Sequence, residues 1–198
     1  MTSSTNNLEI IAERIRQAFD AKNAARDKAL ARSRELIRFC ALSIRAIHRE
    51  DFATADDLLE TARQAAGQLK ADLAGYPDLL YAGYTQDALK EFAEASATSA
   101  VVRGDPLPDA DALEIEHATY LNGLADTAGE LRRHCVDRIR LGQLDEAKRL
   151  LDVMDEIYDI LVTMDYPDAI TGGLRRGTDM VRGVTERTRA DLMLAVRQ

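Results

Sequence analysis

Four carboxylates in the middle of the chain have the residue types and spacing to hold a cation. In LKEFAEA, residues 89–95, Glu91 and Glu94 are three apart; in YLNGLADTAGELRRHC, residues 120–135, Asp126 and Glu130 are four apart. On a helix either spacing puts both side chains on one side, about one turn from each other. Ionised carboxylates so spaced usually line a wet surface, because they are seldom buried without a partner or a metal. Paired carboxylates on facing helices are also how helical bundles build cation sites. The spacing fits both readings. No His stands at a Glu-x-x-His offset here, so a bound cation would meet only oxygen. That donor set suits Mg²⁺ or Mn²⁺ better than zinc or iron, and such ions serve phosphoryl chemistry by activating water and neutralising developing charge.

These residues must be positioned by helices. Apolar residues recur at helical spacing from Leu8 to about Arg49, which predicts one very long helix or two nearly collinear ones. Further helices are expected over about 53–73, 79–102 with a break near Gly83, 113–141, 144–164, and 167–197 with an interruption at Gly172-Gly173. The turn AGYPD and the two-proline segment RGDPLPDAD, residues 103–111, separate them. No stretch alternates with period two long enough for a strand. The expected fold is all-α: one domain over residues 1–198, a bundle of about six or seven mostly antiparallel helices, with residues 1–7 a flexible lead. EDFATADDLLETA at residue 50 and GQLDEAKRLLDVM at residue 142 share an Ala and a Leu-Leu pair at equal offsets. Two copies some ninety residues apart make no tetratricopeptide array, and the likeness reads as convergent helix-start patterning.

Composition excludes several classes. With 46% hydrophobic and 30% charged residues the 198-residue chain is globular rather than disordered. No apolar run reaches the roughly 18 residues of a membrane span, so no membrane role is expected. MTSSTNNLEI lacks the basic patch and apolar core of a secretory signal, and a cytoplasmic location is expected. Cys40 and Cys135 have neither metal nor disulfide spacing and read as buried, inert thiols. The net charge of −8 argues against a general nucleic-acid coat. Yet Arg and Lys crowd residues 14–49, whereas residues 105–130 carry acid and no Lys or Arg, so a local basic surface is possible on an acidic molecule.

The motifs YPDLLYAGYTQDALKEFAEA (76–95) and YLNGLADTAGELRRHCVDRIRLGQLDEAKRLL (120–151) resemble the translin and translin-associated factor X (TRAX) family. SRELIRFCALSIRAIHR (33–49) is similar to its first-helix motif, and the C-terminal LRRGTDMVRGVTERTRADLMLAVR to its last helix. The resemblance runs in order from about Arg26 onward. Translin itself binds single-stranded nucleic acid and has a basic, aromatic segment where this chain has KEFAEA. The factor X branch has acids at all four places, matched here by Glu91, Glu94, Asp126 and Glu130. The resemblance therefore implies that these four are catalytic metal ligands for one or two Mg²⁺ (or Mn²⁺) ions. It implies an endoribonuclease that cuts single-stranded RNA inside a hollow homo-octamer, with single-stranded DNA a further ligand. The chain lacks the long insertion of eukaryotic factor X near residues 99–112 and resembles the compact prokaryotic members. Arg34, Arg38 and Arg45 on the first helix are the candidate phosphate contacts, since phosphate charge dominates nucleic-acid affinity. His48, His117 and His134 read as structural or exposed residues, or at most RNA contacts. Two alternatives stand: an octamer that binds single-stranded RNA or DNA without cutting it, and a helical scaffold. Four acids beside an anionic ligand favour the enzyme, because without a cation they would repel it.

Overall fold

The helix-rich pattern and the few breakers lead to nine helical segments and no strand among the described residues, 7–196, of the computed structural model. Six helices are long: α1 (Leu8–His48), α2 (Phe52–Asp72), α4 (Gly83–Arg103), α6 (His117–Arg140), α7 (Leu144–Leu161) and α9 (Leu174–Val196). Three are single turns: α3 (Pro77–Leu80), α5 (Ala110–Leu113) and α8 (Asp168–Thr171). The all-α expectation is met, and the breaks near Gly83 and Gly172-Gly173 fall where α3 and α8 end. Of the lead segment 1–7, residues 1–6 lie outside the described residues.

α1 is one continuous helix of 41 residues, roughly 60 Å long at 1.5 Å per residue, and outreaches its 21-residue neighbours by half its length. Its first buried residue is Ala29. Beyond the bundle it exposes Leu8, Ile11, Ile15 and Phe19, spaced three or four apart along one stripe.

Residue pairs fix the helix directions. Chain neighbours α1/α2 and α6/α7 run antiparallel: Arg32 meets Asp72 while Ser43 meets Ala55, and Cys135 meets Ala147 across the second turn. The helices that carry the acids do not. Gln86 on α4 is bonded to Thr119 on α6, and Lys90 to Asp126, so α4 and α6 are parallel. α6 and α9 are parallel too: Gly177 of α9 lies against Ala125 of α6, and Arg132 meets Thr188 further along both. The physical cause is the crossover. Parallel neighbours need a connection that returns along the helix. The segment carrying α5 does so, pinned to α2 by Lys70 at Glu114 and Arg63 at the Ala112 carbonyl. The result is a layer of parallel helices, α1, α4, α6 and α9, with α2 packed on one end of it and α7 on the other.

The likeness between residues 50–62 and 142–154 is more than helix-start patterning. Each half of the chain lays down two long helices, a one-turn helix and a third long helix: α1 to α4, then α6 to α9. Tyr76-Pro77-Asp78 opens the short helix of the first half and Tyr166-Pro167-Asp168 that of the second. The Ser43 hydroxyl donates to the Ala55 carbonyl at 3.0 Å, and the Cys135 thiol to the Ala147 carbonyl at 3.3 Å, both buried. Between them the chain turns at Glu50 and at Gly142, both with positive φ, 59° and 71°. The two halves are a structural repeat, and α4 and α6 meet at its junction.

That junction is tight because α4 is built from small residues (Ala93, Ala95, Ser96, Ala97, Ser99, Ala100) and because α6 has Gly123. A Cβ at position 123 would lie 2.7 Å from the Ala93 Cβ and 2.8 Å from the Lys90 carbonyl oxygen, closer than real side chains come. Gly123→Ala is therefore expected to lower unfolding free energy by about 1–3 kcal/mol, helix propensity offsetting only part of the overpacking. Gly129→Ala, whose added methyl meets nothing within 4 Å, is expected to be neutral or to stabilise by up to about 1 kcal/mol. Urea titration of both variants checks this: equal effects would mean that Gly123 does not set the helix spacing.

Candidate functional site

Glu91 and Glu94 belong to the helix with the most neighbours. α4 packs against α1, α2, α6 and α7, so little of its surface reaches water, and Glu94 is only 9% exposed. Asp126 and Glu130 sit on α6, one turn and two turns beyond Gly123 in the direction that matches α4. The four acids thus lie along one seam, where their charges act on one another.

Electrostatics make that proximity explicit. Burial, then the charges of Glu91, Asp126 and Glu130, push Glu94 up to about 8, and Lys90 offsets only part of it. Burial also raises Glu91; Lys90 pulls it back, while Asp126, Asp87 and Glu130 raise it further. Across α1, the buried Cys40 thiol is held far above its usual range by burial and by Glu91 and Glu94. Its expected inertness follows, since only the thiolate is reactive. Glu130 goes the other way: the hydrogen bond from His48 holds it below the ordinary glutamate range against the effect of burial.

Two donors reach into the acids. Lys90 forms a short ion pair with Asp126 and stands 3.9 Å from Glu91. Burial works against its charge, but Asp126, Glu91 and Glu94 outweigh that and raise its pKa. His48, at the end of α1, bonds through Nε2 to Glu130 Oε2 at 2.5 Å. As the side chains stand, no three His, Cys, Asp or Glu among the described residues converge closely enough to hold a metal ion. Asp126 and Glu130 each point to a donor instead.

A cleft of about 720 Å³ opens beside Asp126, between the starts of α4, α6 and α9, with Lys90, Asn122, Gly173 and Arg176 on its walls. Arg34, Arg38 and Arg45 lie elsewhere: all three are exposed on α1, within about 40° of one another by helix geometry and well away from its buried Leu36, Cys40 and Ile47. Relative to Ser43, Arg34 and Arg38 hold the places on α1 that Asp126 and Glu130 hold on α6 relative to Cys135. The α6 pair faces α4; the α1 pair, at the edge of the layer, faces solvent. Sequence reasoning missed Lys90, Gly123 and His48. Lys90 stands beside Glu91 in the sequence, but nothing local to positions 48 and 123 marks what they touch.

A layered all-α repeat with acids at its junction defines the class of protein. The chain is 31% identical over 175 residues to an uncharacterized protein of Methanocaldococcus jannaschii, covering 87% of this chain and 77% of that one. It superposes on AfC3PO, solved alone and in a complex with duplex RNA. For each the TM-score is 0.87 at 33% identity, over 93% of this chain; 96% of the free chain and 95% of the RNA-bound one are covered. NeC3PO, at 21% identity and a TM-score of 0.80 over 98% of both chains, has the same fold. No family model matches the chain. It belongs to the translin and translin-associated factor X family, in the compact prokaryotic form. No helix among the described residues is long and apolar enough to cross a membrane.

Glu94 ties pH to stability. Its folded value of about 8 lies above the ordinary 4.5, so between these values the folded chain keeps a proton that the unfolded chain releases. Stability therefore falls as pH rises from about 4.5 toward 8. Glu94→Gln, which stays uncharged, is expected to be more stable than wild type at pH 8 in chelator, by roughly a few kcal/mol, and similar near pH 4.5. Urea titrations across that range decide it; parallel curves for the two proteins would rule out a buried, proton-holding Glu94.

Proposed function

We propose that this protein is a metal-dependent endoribonuclease that hydrolyses phosphodiester bonds of single-stranded RNA within a hollow homo-octamer, on the TRAX-like catalytic branch of its family. The observation that supports it best is the seam of four acids, with Glu94 driven to about 8 by burial and three neighbouring carboxylates against one lysine. Such an arrangement is costly in a protein that needs only a fold, and a bound dication would remove the cost. Glu91, Glu94, Asp126 and Glu130 offer carboxylate oxygens alone, which fits Mg²⁺ or Mn²⁺. When bound there, the ion would supply a water of lowered pKa and positive charge for the phosphate.

The chain's own residues have separate tasks. Burial on α4 keeps bulk water from Glu94. Lys90 screens the seam and, on release from Asp126, can turn its ammonium to a phosphate oxygen in the adjoining cleft. Arg34, Arg38 and Arg45 offer a charged row for phosphates outside the seam. RNA as the ligand class is supported by the duplex-RNA complex of AfC3PO, 33% identical to this chain. Assembly is supported by the apolar stripe Leu8, Ile11, Ile15 and Phe19, more surface than a lone α1 would leave in water.

A second reading, an RNA-binding shell without cleavage, draws on the engagement of Asp126 by Lys90 and Glu130 by His48. Incubation with labelled single-stranded and duplex RNA of one sequence, in Mg²⁺, Mn²⁺ or chelator, separates the two. Cleavage that needs the cation is expected on the single strand. Glu91→Gln, Glu94→Gln and Asp126→Asn should each lose at least about 100-fold of it while RNA affinity stays within about threefold. Variants that cut at the wild-type rate would remove the metal assignment; tight binding without cleavage in either metal would leave the binder.

The assembly is tested separately. Light scattering is expected to give a particle of eight chains, and Ile15→Glu with Phe19→Glu to yield smaller species. A wild-type monomer at micromolar concentration would refute the shell.

A further inference from the structure

Outside the four acids, the most constrained polar group near the seam is His48. It is the last residue of α1, and its side chain is 5% exposed. Its Nε2 meets Glu130 Oε2 at 2.5 Å, while its Nδ1 is buried with no hydrogen-bond partner. Glu130 is an acceptor, so Nε2 carries the proton and donates. The His134 ring packs beside it, tilted by 35° with its centroid 5.8 Å away. A histidine present only to fill this space would be a poor choice, because one buried ring nitrogen goes unpaired at a cost of about 1–3 kcal/mol that an apolar residue avoids. Among the described residues, the contact with Glu130 is the one polar interaction that its side chain makes.

We infer that His48 is a positioning residue: its buried imidazole N–H holds Glu130 by Oε2, fixing the carboxylate's rotamer so that its other oxygen is presented to a divalent cation at the α4–α6 junction. The inference rests on the metal reading proposed above. A free glutamate on a helix has three rotatable bonds and loses freedom when it ligates; one already pinned to a rigid ring does not. Glu130 has no other hydrogen bond among the described residues, and its side chain is 27% exposed, so Oε1 is left without a hydrogen-bond partner there. Lys90 is a different kind of neighbour. Its amine sits on a flexible stem, 26% exposed, and competes with a cation for Asp126. His48 differs in being a short, buried ring, its side chain 5% exposed and packed beside His134.

The probe is Mn²⁺ alone, titrated into the full-length protein without RNA and followed by the loss of the free-ion electron paramagnetic resonance signal. His48→Leu keeps the volume and removes the donor; His48→Gln returns an N–H near the place of Nε2. The Leu variant is expected to bind Mn²⁺ about 10–100-fold more weakly, and the Gln variant within about threefold of wild type. Melting of both in chelator should stay within a few degrees of wild type, with unchanged helical circular dichroism. In a Glu130→Gln background, His48→Leu should cause no further loss, since the effect passes through that carboxylate. Wild-type affinity in His48→Leu, or an equal loss in the Glu130→Gln background, overturns the positioning role while the metal reading stands. A failure of the wild-type protein to take up Mn²⁺ overturns both.

Discussion

The approach of α6 to the backbone of α4 at Gly123 is the constraint on which the rest depends. With no side chain at that position, α6 can lie against Ala93 and the Lys90 carbonyl, and the acids one and two turns further on are brought beside Glu91 and Glu94. Gly177 repeats the device between α9 and α6, where an added Cβ would stand 3.1 Å from that of Ala125. Close spacing excludes water, and exclusion of water raises the cost of every charge left in the seam. The same contact that packs the two halves of the chain therefore gathers the carboxylates whose charges raise Glu94.

The repeat explains why the junction has this character and the edges do not. α4, the last helix of the first half, is flanked by α1, α2, α6 and α7, and even its glutamate becomes buried. α1 and α9 each have an open side. Arg34 and Arg38 on α1 stand in the register of Asp126 and Glu130 on α6, so one helix position carries acid where a helix faces it and base where solvent does. Segregation of charge along the sequence becomes segregation by layer position. An acidic interior seam and a basic outer row can coexist on a chain of net charge −8.

The donors around the acids divide the work between a mobile charge and a fixed one. Lys90 stabilises the seam as it stands, at the expense of occupying Asp126. His48 occupies one oxygen of Glu130 from a buried, immobile ring. The first is part-exposed on a flexible stem; the second is a buried ring. A functional reading that depends on ligands rearranging around a cation thus asks for movement at Lys90 and Asp126, and for very little at Glu130.

Helix content and most boundaries were legible in the sequence, because apolar spacing and Gly or Pro breaks are local signals: the helical reach of α1, the break before α4 and the Gly172-Gly173 interruption follow from them, whereas one helix or two collinear ones over Leu8–His48 was left to the structure. Which residues share a helix face is local too, so Glu91 with Glu94 and Asp126 with Glu130 could be paired from spacing alone. That the pairs lie along one seam could not. It depends on a return crossover that makes α4 and α6 parallel, and on a glycine whose missing side chain matters only against its neighbour. His48, 82 residues from Glu130, looked like a structural histidine because a hydrogen bond between distant helices leaves no periodicity in either. The second half's likeness to the first was visible as an Ala and a Leu-Leu pair, but the turns and buried bonds that make it a repeat are properties of packing. Residue type and spacing determined the helices and the chemistry available to them. Tertiary contact decided which of those groups share a dielectric, because the charge on one carboxylate shifts another only across a packed junction.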